Sequence, residues 1–498
     1  MKLNKYIKRM KRGVAAIVAT VMVMVVAPSA NVMAREADGL TETPTALSVT
    51  EAELPDISTG LLVKSNGELW MWGENEYGRL GDGTTEDRLS PVRVMNNVAH
   101  AVTDGKSTTM AITKDGELWG WGANDRGRVG DGTAADRHSP VFIMADVAYV
   151  NVDSPNSVFA ITKDKTLWRW GRPLNGGNNI LKPTPVMENV EQIKVMALTQ
   201  AMIITADSKL YALGANSPRG RLGNGTTQSC PTPEFIMDNV ASVTGDGSTT
   251  MAVTNDGKLY GWGWNGQGQL GDGTTTNRFS PVFIMDNVAK VPYEYDPNIM
   301  NTRGSGLSTV MAIKTNGELW GWGWNFTGST MGRATFSGDM QLVPRMNSDG
   351  SFAGMVDMVG GEVLSDVEIS QSFLGDGTLE ENRLTPVHIM DNVVDVIVTN
   401  DRSLALTTDG RLWEWGYLSV SQLDDGTVID NLKPRLVLEN VASYSAENFW
   451  VLALTKDGRL FGWGDGRGGV LGIANLDAVM LSQTVPSPVH IANDVVQI

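Results

Sequence analysis

The residues best suited to chemistry in this sequence are tryptophans spaced two apart, aspartates in glycine-rich turns, four histidines and one cysteine. Trp70 and Trp72, Trp119 and Trp121, Trp168 and Trp170, and Trp413 and Trp415 could stack on sugar rings. They recur in register at i and i+2, which places each pair on one face of a strand, as a repeated core position does. Burying about 200 Å² of indole at ~25 cal/mol per Å² contributes roughly 5 kcal/mol gross, so packing against the next repeat accounts for them. Asp82, Asp131, Asp272 and Asp376 occupy Gly-Asp-Gly-Thr turns, with Asp425 in a variant. A Ca²⁺ site needs six or more converging oxygens. Each turn carries too few, and an Asp that bonds its own turn backbone explains the pattern better.

The remaining candidates are weaker. Gly261 to Gly266 satisfies G-x-G-x-x-G, but no helix follows to hold a pyrophosphate. His100, His138, His388 and His490 are scattered, and Cys230 has no intramolecular partner, so it is expected to be a small buried apolar side chain. The sequence therefore predicts no catalytic residue, no metal centre, no cofactor and no enzyme.

What positions these residues is a tandem repeat of about 50 residues. The unit from Val98 to Val147 matches the unit from Val240 to Val288 through nearly its full length. A Trp-Gly anchor falls at Trp72, Trp121, Trp170, Trp262, Trp322, Trp415 and Trp463, with Leu213-Gly214 as an eighth. A proline anchor recurs at Pro91, Pro140, Pro185, Pro233, Pro281, Pro344, Pro386, Pro434 and Pro488. The excess lies between Trp322 and Trp415, where a degenerate unit or an insertion is expected at 325–373. Within a unit, residues 108–122 alternate about Lys114-Asp115-Gly116, the turn signal of a β-hairpin. No stretch after residue 34 keeps a helical period. Several short strands per period give an all-β fold, a single closed β-propeller of about eight blades, within a range of seven to nine. The chain ends on the opening residues of a unit and its first unit starts midway, so N- and C-terminal strands are expected to close the ring together.

The segment Gly257 to Thr275, reading G-K-L-Y-G-W-G-W-N-G-Q-G-Q-L-G-D-G-T-T, resembles the regulator of chromosome condensation repeat family, and the resemblance covers about residues 57–498. It implies a propeller, usually of seven blades. The family's founding member is a nucleotide exchange factor for a small nuclear GTPase, and a secreted bacterial relative covers β-lactamases with one face. Neither activity carries over by fold alone.

Residues 1–34 read as a signal peptide. Lys2, Lys5, Lys8, Arg9, Lys11 and Arg12 precede an apolar run from Val14 to Ala27, and Val32-Met33-Ala34 suits cleavage. That run is too short for a stable membrane span. Residues 35–56 read as a flexible linker, and 57–498 as the propeller. Without those six cations, 34 Lys and Arg face 56 Asp and Glu, a net charge near −22 that disfavours nucleic acid. The expectation is a secreted or envelope-associated bacterial monomer that binds a protein partner. A carbohydrate-binding or carbohydrate-active propeller is the alternative, and exchange-factor activity a weaker one.

Function should lie where the repeat is broken. Trp264 and Trp324 extend the Trp stripe into a loop where other units carry Glu or Ala, as at Glu74, Ala123 and Ala215, and residues 292–306 and 325–373 exceed their counterparts. The partner-binding candidates are Trp264, Trp324, Phe326, Tyr77, Tyr293 and Tyr295.

Overall fold

The computed structural model describes residues 59–104, 107–152, 157–196, 199–292, 309–325, 341–346, 352–359, 362–363, 372, 374–378, 382–399, 402–416, 432–446, 450–465 and 484–493. Each repeat folds as one small antiparallel sheet whose strands follow chain order. The second sheet shows the rule, with strands Val98–Thr103, Thr108–Thr113, Leu118–Gly122 and Arg137–Met144. The predicted hairpin lies between its second and third strands, where Gly116 takes φ +90° in the turn. Among the described residues there are seven four-stranded and two three-stranded sheets, and a single 3₁₀ turn at Glu76–Gly78. The chain is all-β.

The chain divides into two compact units, Met1–Gly266 with Thr276–Leu307, and Gln267–Thr275 with Ser308–Ile498. Within each unit the strands grade from inside to outside. Thr108–Thr113 is buried at all six positions, whereas Arg137–Met144 is half-buried or exposed along its length. A strand covered on both faces needs no polar alternation, which is why Thr-Thr-Met-Ala-Ile-Thr shows so little of it. The outer strand carries the recurring proline, as at Pro91, Pro140 and Pro281. Proline lacks the N–H that would extend a ladder, so it protects this exposed edge from pairing with another chain.

From one sheet to the next the chain turns through a single left-handed residue, Asn97, Asp146, Asn189, Asn239, Asn287, Asn392 or Asn440, each near φ +60°. Asn and Asp tolerate that conformation better than other side chains. The first sheet, Gly60–Val63, Leu69–Gly73 and Arg88–Met95, has three strands among the described residues, corresponding to the last three of a full sheet. Residues 494–498, expected to complete it, lie outside the described residues.

Between Trp322 and Trp415 the strand pairing is direct. Leu319–Trp324 pairs with Asn382–Met390, so the sixth sheet is completed across a long excursion between its third and fourth strands. The excursion includes a separate three-stranded sheet, Gln341–Met346, Phe352–Val359 and Glu362–Val363, and with it the additional proline, Pro344. Asn325 fastens its two ends, accepting from the Ser372 hydroxyl at 2.9 Å and from the Leu374 N–H at 3.3 Å.

Candidate functional site

The two members of each Trp pair have different surroundings. Except in the first sheet, where Trp72 is half-buried, the second is sealed: Trp121, Trp170, Trp262, Trp322, Trp415 and Trp463 are almost wholly buried. Their indole N–H groups reach backward along the chain. Trp121 donates to the Arg79 carbonyl at 2.9 Å, Trp170 to Arg128 at 2.7 Å, Trp262 to Arg221 at 3.1 Å and Trp322 to Gln269 at 2.8 Å. Packing is thus onto the preceding repeat rather than the next. A buried indole N–H must find an acceptor, and the turn carbonyl supplies one. The first Trp of each pair is half-buried, and Trp119 meets Phe142 edge to face with centroids 5.8 Å apart. The sealed rings offer no open stacking face for a substrate.

The aspartates are turn residues. Asp82 Oδ1 accepts the Thr84 N–H at 3.0 Å and its Oδ2 meets Arg88 Nε at 2.5 Å. Asp376 and Arg383 repeat the contact at 2.6 Å, and Asp131 pairs with Arg137. Burial pushes the Asp82 carboxyl up, but the Thr84 and Arg88 bonds outweigh it and hold it below the usual carboxylate range. Beneath each turn sits an asparagine the sequence reading passed over. Asn124 Nδ2 donates to Asp131 Oδ1 at 3.1 Å and to the Thr133 and Ala135 carbonyls at 3.1 and 3.0 Å, while its Oδ1 accepts the Val129 N–H at 2.9 Å. Asn75, Asn265 and Asn325 are equally buried, so the Trp-Gly-x-Asn spacing was the available signal.

Cys230 is buried, as expected, and burial together with Glu234 pushes its thiol pKa up to about 12, which leaves no thiolate for nucleophilic chemistry. No group of three or more His, Cys, Asp or Glu among the described residues could hold a metal ion, and no helix among them is long and apolar enough to cross a membrane.

The predicted partner-binding residues fare unequally. Trp264 lies just past the strand Leu259–Gly263, half-buried, with the Arg219 guanidinium 4.6 Å over its ring. Trp324 is not in a loop: it ends a strand, pairs with Asn382 and accepts the Thr309 hydroxyl on its carbonyl, so the Trp stripe here continues the ladder by one residue. Tyr77 is 44% exposed in the 3₁₀ turn, at φ 63°. Phe326, Tyr293 and Tyr295 lie outside the described residues. Trp264 and Tyr77 belong to one unit and Trp324 to the other.

One charged cluster escaped the sequence reading. Glu414, wholly buried, faces Arg402 at 2.9 Å and Arg435 at 3.5 Å, and accepts the Trp463 indole N–H at 3.1 Å. Glu414 and Arg402 replace the Gly120 and Thr108 of the second sheet, a departure visible only once the strands are aligned.

A family model described as the regulator of chromosome condensation (RCC1) repeat matches residues 66–112, 115–152 and 256–292, and a second model of the same description matches 101–128. Similar solved structures include human WBSCR16, 17% identical, covering 76% of this chain and 94% of that one with TM-score 0.42. Prp20p from Saccharomyces cerevisiae is 15% identical over 87% of this chain and 88% of its own, TM-score 0.42. Yeast RCC1 (Prp20) bound to Kap60 is 15% identical over 91% of each chain, TM-score 0.43. The Trp latch and the Asn-held turn fall within the segments of this chain that match the regulator of chromosome condensation repeat, residues 66–112, 115–152 and 256–292.

Proposed function

We propose that this chain is an exported, non-catalytic scaffold that binds a protein partner through the places where its repeat is interrupted. The observation that carries this reading is Trp264, a large ring beyond the end of its strand and stacked by Arg219 at 4.6 Å. Three other repeats place Glu74, Ala123 or Ala215 there. Aromatic and Arg side chains are the commonest energetic anchors of protein interfaces. Tyr77 and the excursion after Trp324 add surface that the repeat itself does not need. Export is supported by the basic and apolar pattern of residues 1–34. The acidic surface of the exported chain favours a partner that presents basic groups.

The test is cross-linking of the secreted protein in its native culture, before and after residues 292–306 and 325–373 are replaced by consensus loops. The wild type should hold a protein that the replaced form releases. Equal retention would defeat the reading.

The same proposal includes a single ring of eight blades, closed when residues 494–498 supply the opening strand of the first sheet. Amides of Gly60 to Val63 should then be protected from hydrogen exchange in the full chain and lose protection when residues 494–498 are removed. Unchanged protection would exclude this closure.

A further inference from the structure

The chain carries a net charge of −16, and most of its described arginines are neutralised where they stand. Arg79 meets Glu74 at 3.3 Å, Arg383 meets Asp376 at 2.6 Å and Arg402 meets Glu414 at 2.9 Å. Four consecutive arginines depart from this rule. Arg169, Arg172, Arg219 and Arg221 make no ion pair among the described residues, and all belong to the third and fourth repeats.

Two turns account for the difference. Residues 123–136 of the second repeat hold Asp125, Asp131 and Asp136, whereas 172–179 of the third and 215–229 of the fourth hold no Asp or Glu. Both turns join the third and fourth strands of their sheets, and they lie together: a β-carbon at Gly214, where the fourth turn begins, would sit 3.1 Å from Leu174 of the third. Glu234 reaches the fourth turn at Asn224, 2.8 Å away, and pairs with none of the four arginines. Asp246 of the next sheet is buried, its Oδ1 accepting the Ser248 and Thr249 N–H groups.

The cations are held in place. Arg221 Nε donates to the Ala215 carbonyl at 3.0 Å and Nη1 to the Gly247 carbonyl at 3.3 Å, contacts that orient the guanidinium without neutralising it. Arg219 lies 4.6 Å over the Trp264 ring. Arg169 shares its strand face with Leu167, which packs against the fourth sheet. Burial pushes the pKa of Arg169 and of Arg221 below the usual guanidinium value, the mark of a charge that loses water and finds no carboxylate.

The net charge narrows the occupant. A nucleic acid or a sulfated glycan extends beyond such a patch, and its further charges meet the acidic remainder of the chain. A short run of Asp and Glu on a protein surface need not. Guanidinium forks pair bidentately with carboxylates, and Trp264 adds an apolar contact beside them. We infer that the turns 172–179 and 215–229, together with Trp264, form a docking surface for an acidic segment of a protein partner. It reverses locally the sign that the rest of the surface presents, and it rests on the protein-binding reading, to which it adds the chemistry of the contact at Trp264.

Fluorescence anisotropy of labelled hexaglutamate with the full chain tests it. The peptide should bind at about 0.15 M salt and be released at about 1 M, where the screening length falls to ~3 Å. Arg172→Glu and Arg219→Glu should each weaken binding by about fivefold, whereas Arg126→Glu, the same change of net charge in the turn of the second repeat, should leave it within about twofold. Arg172 is exposed and bonded to nothing through its side chain, so its variant stays decisive should Arg219→Glu disturb Trp264. No binding at about millimolar concentration, equal weakening by Arg126→Glu, or tighter binding of heparin that is lost in the same variants would overturn the inference. Cross-linking that still captures a protein while hexaglutamate fails to bind would overturn this inference alone and leave the protein-binding reading standing.

Discussion

Replacing Trp121 by alanine is expected to destabilise the unit that contains it by about 4 kcal/mol, because a fully buried indole leaves both its packing area and a cavity behind. The side chain has no measurable exposure and packs among Leu69, Met71 and Leu80 of the preceding repeat and Val98 of its own. Its N–H is bonded to the Arg79 carbonyl at 2.9 Å, so the substitution also strips a buried acceptor of its donor. Gly81 shows how closely the ring is enclosed, since a β-carbon there would lie 2.6 Å from the indole nitrogen. Trp121→Phe should cost about 2 kcal/mol, keeping much of the packing but not the bond. Trp119→Ala, two residues away on the same strand and half-buried against Phe142, should cost about 1 kcal/mol. Urea unfolding of the three variants measures all of this. If Trp119→Ala costs as much as Trp121→Ala, the latch has been placed on the wrong ring.

That contrast also marks how far the sequence could be read. The spacing of Trp119 and Trp121 placed both on one face, and the Asp-Gly turn placed the hairpin, because both depend on local geometry. Which ring is sealed depends on what each meets, Trp119 the Phe142 of its own sheet and Trp121 the Arg79 carbonyl of the preceding repeat, and that is a property of the assembled sheets. The same holds for Asn124, whose role exists only when the turn at Asp131 folds back over it. Trp324 was misplaced for a related reason: in the sixth repeat Leu319–Trp324 runs one residue longer than Leu259–Gly263 in the fifth. The candidate site was legible as a set of departures. Only the pairing of Cys230 with Gly214 shows that it stands in the fourth sheet where Arg137 stands in the second.

Glu414 offers the sharpest separation between the charge of a group and its contribution to stability. It is buried beside Arg402, and its Oε1 accepts from both Arg402 and the Trp463 indole. Removing one member of such a pair leaves the other charge in a dry interior, so Glu414→Met should destabilise its unit by about 3 to 5 kcal/mol. Arg402→Met should cost a similar amount, for the opposite reason that the carboxylate then loses its nearest cation. The two losses should not add. Replacing both at once by Met removes the pair together with its desolvation cost, and the double variant should lie within about 1 kcal/mol of the wild type. Trp463 still loses its acceptor in that variant, which accounts for the remaining cost. A double-mutant cycle in urea measures the coupling. Additive losses would mean that Glu414 is held mainly by contacts other than Arg402, whereas strong coupling assigns the pair to fixing the register of its strand against Trp463. Since Gly120 and Thr108 hold the same positions in the second repeat, an ion pair at these positions is a local specification rather than a requirement of the fold.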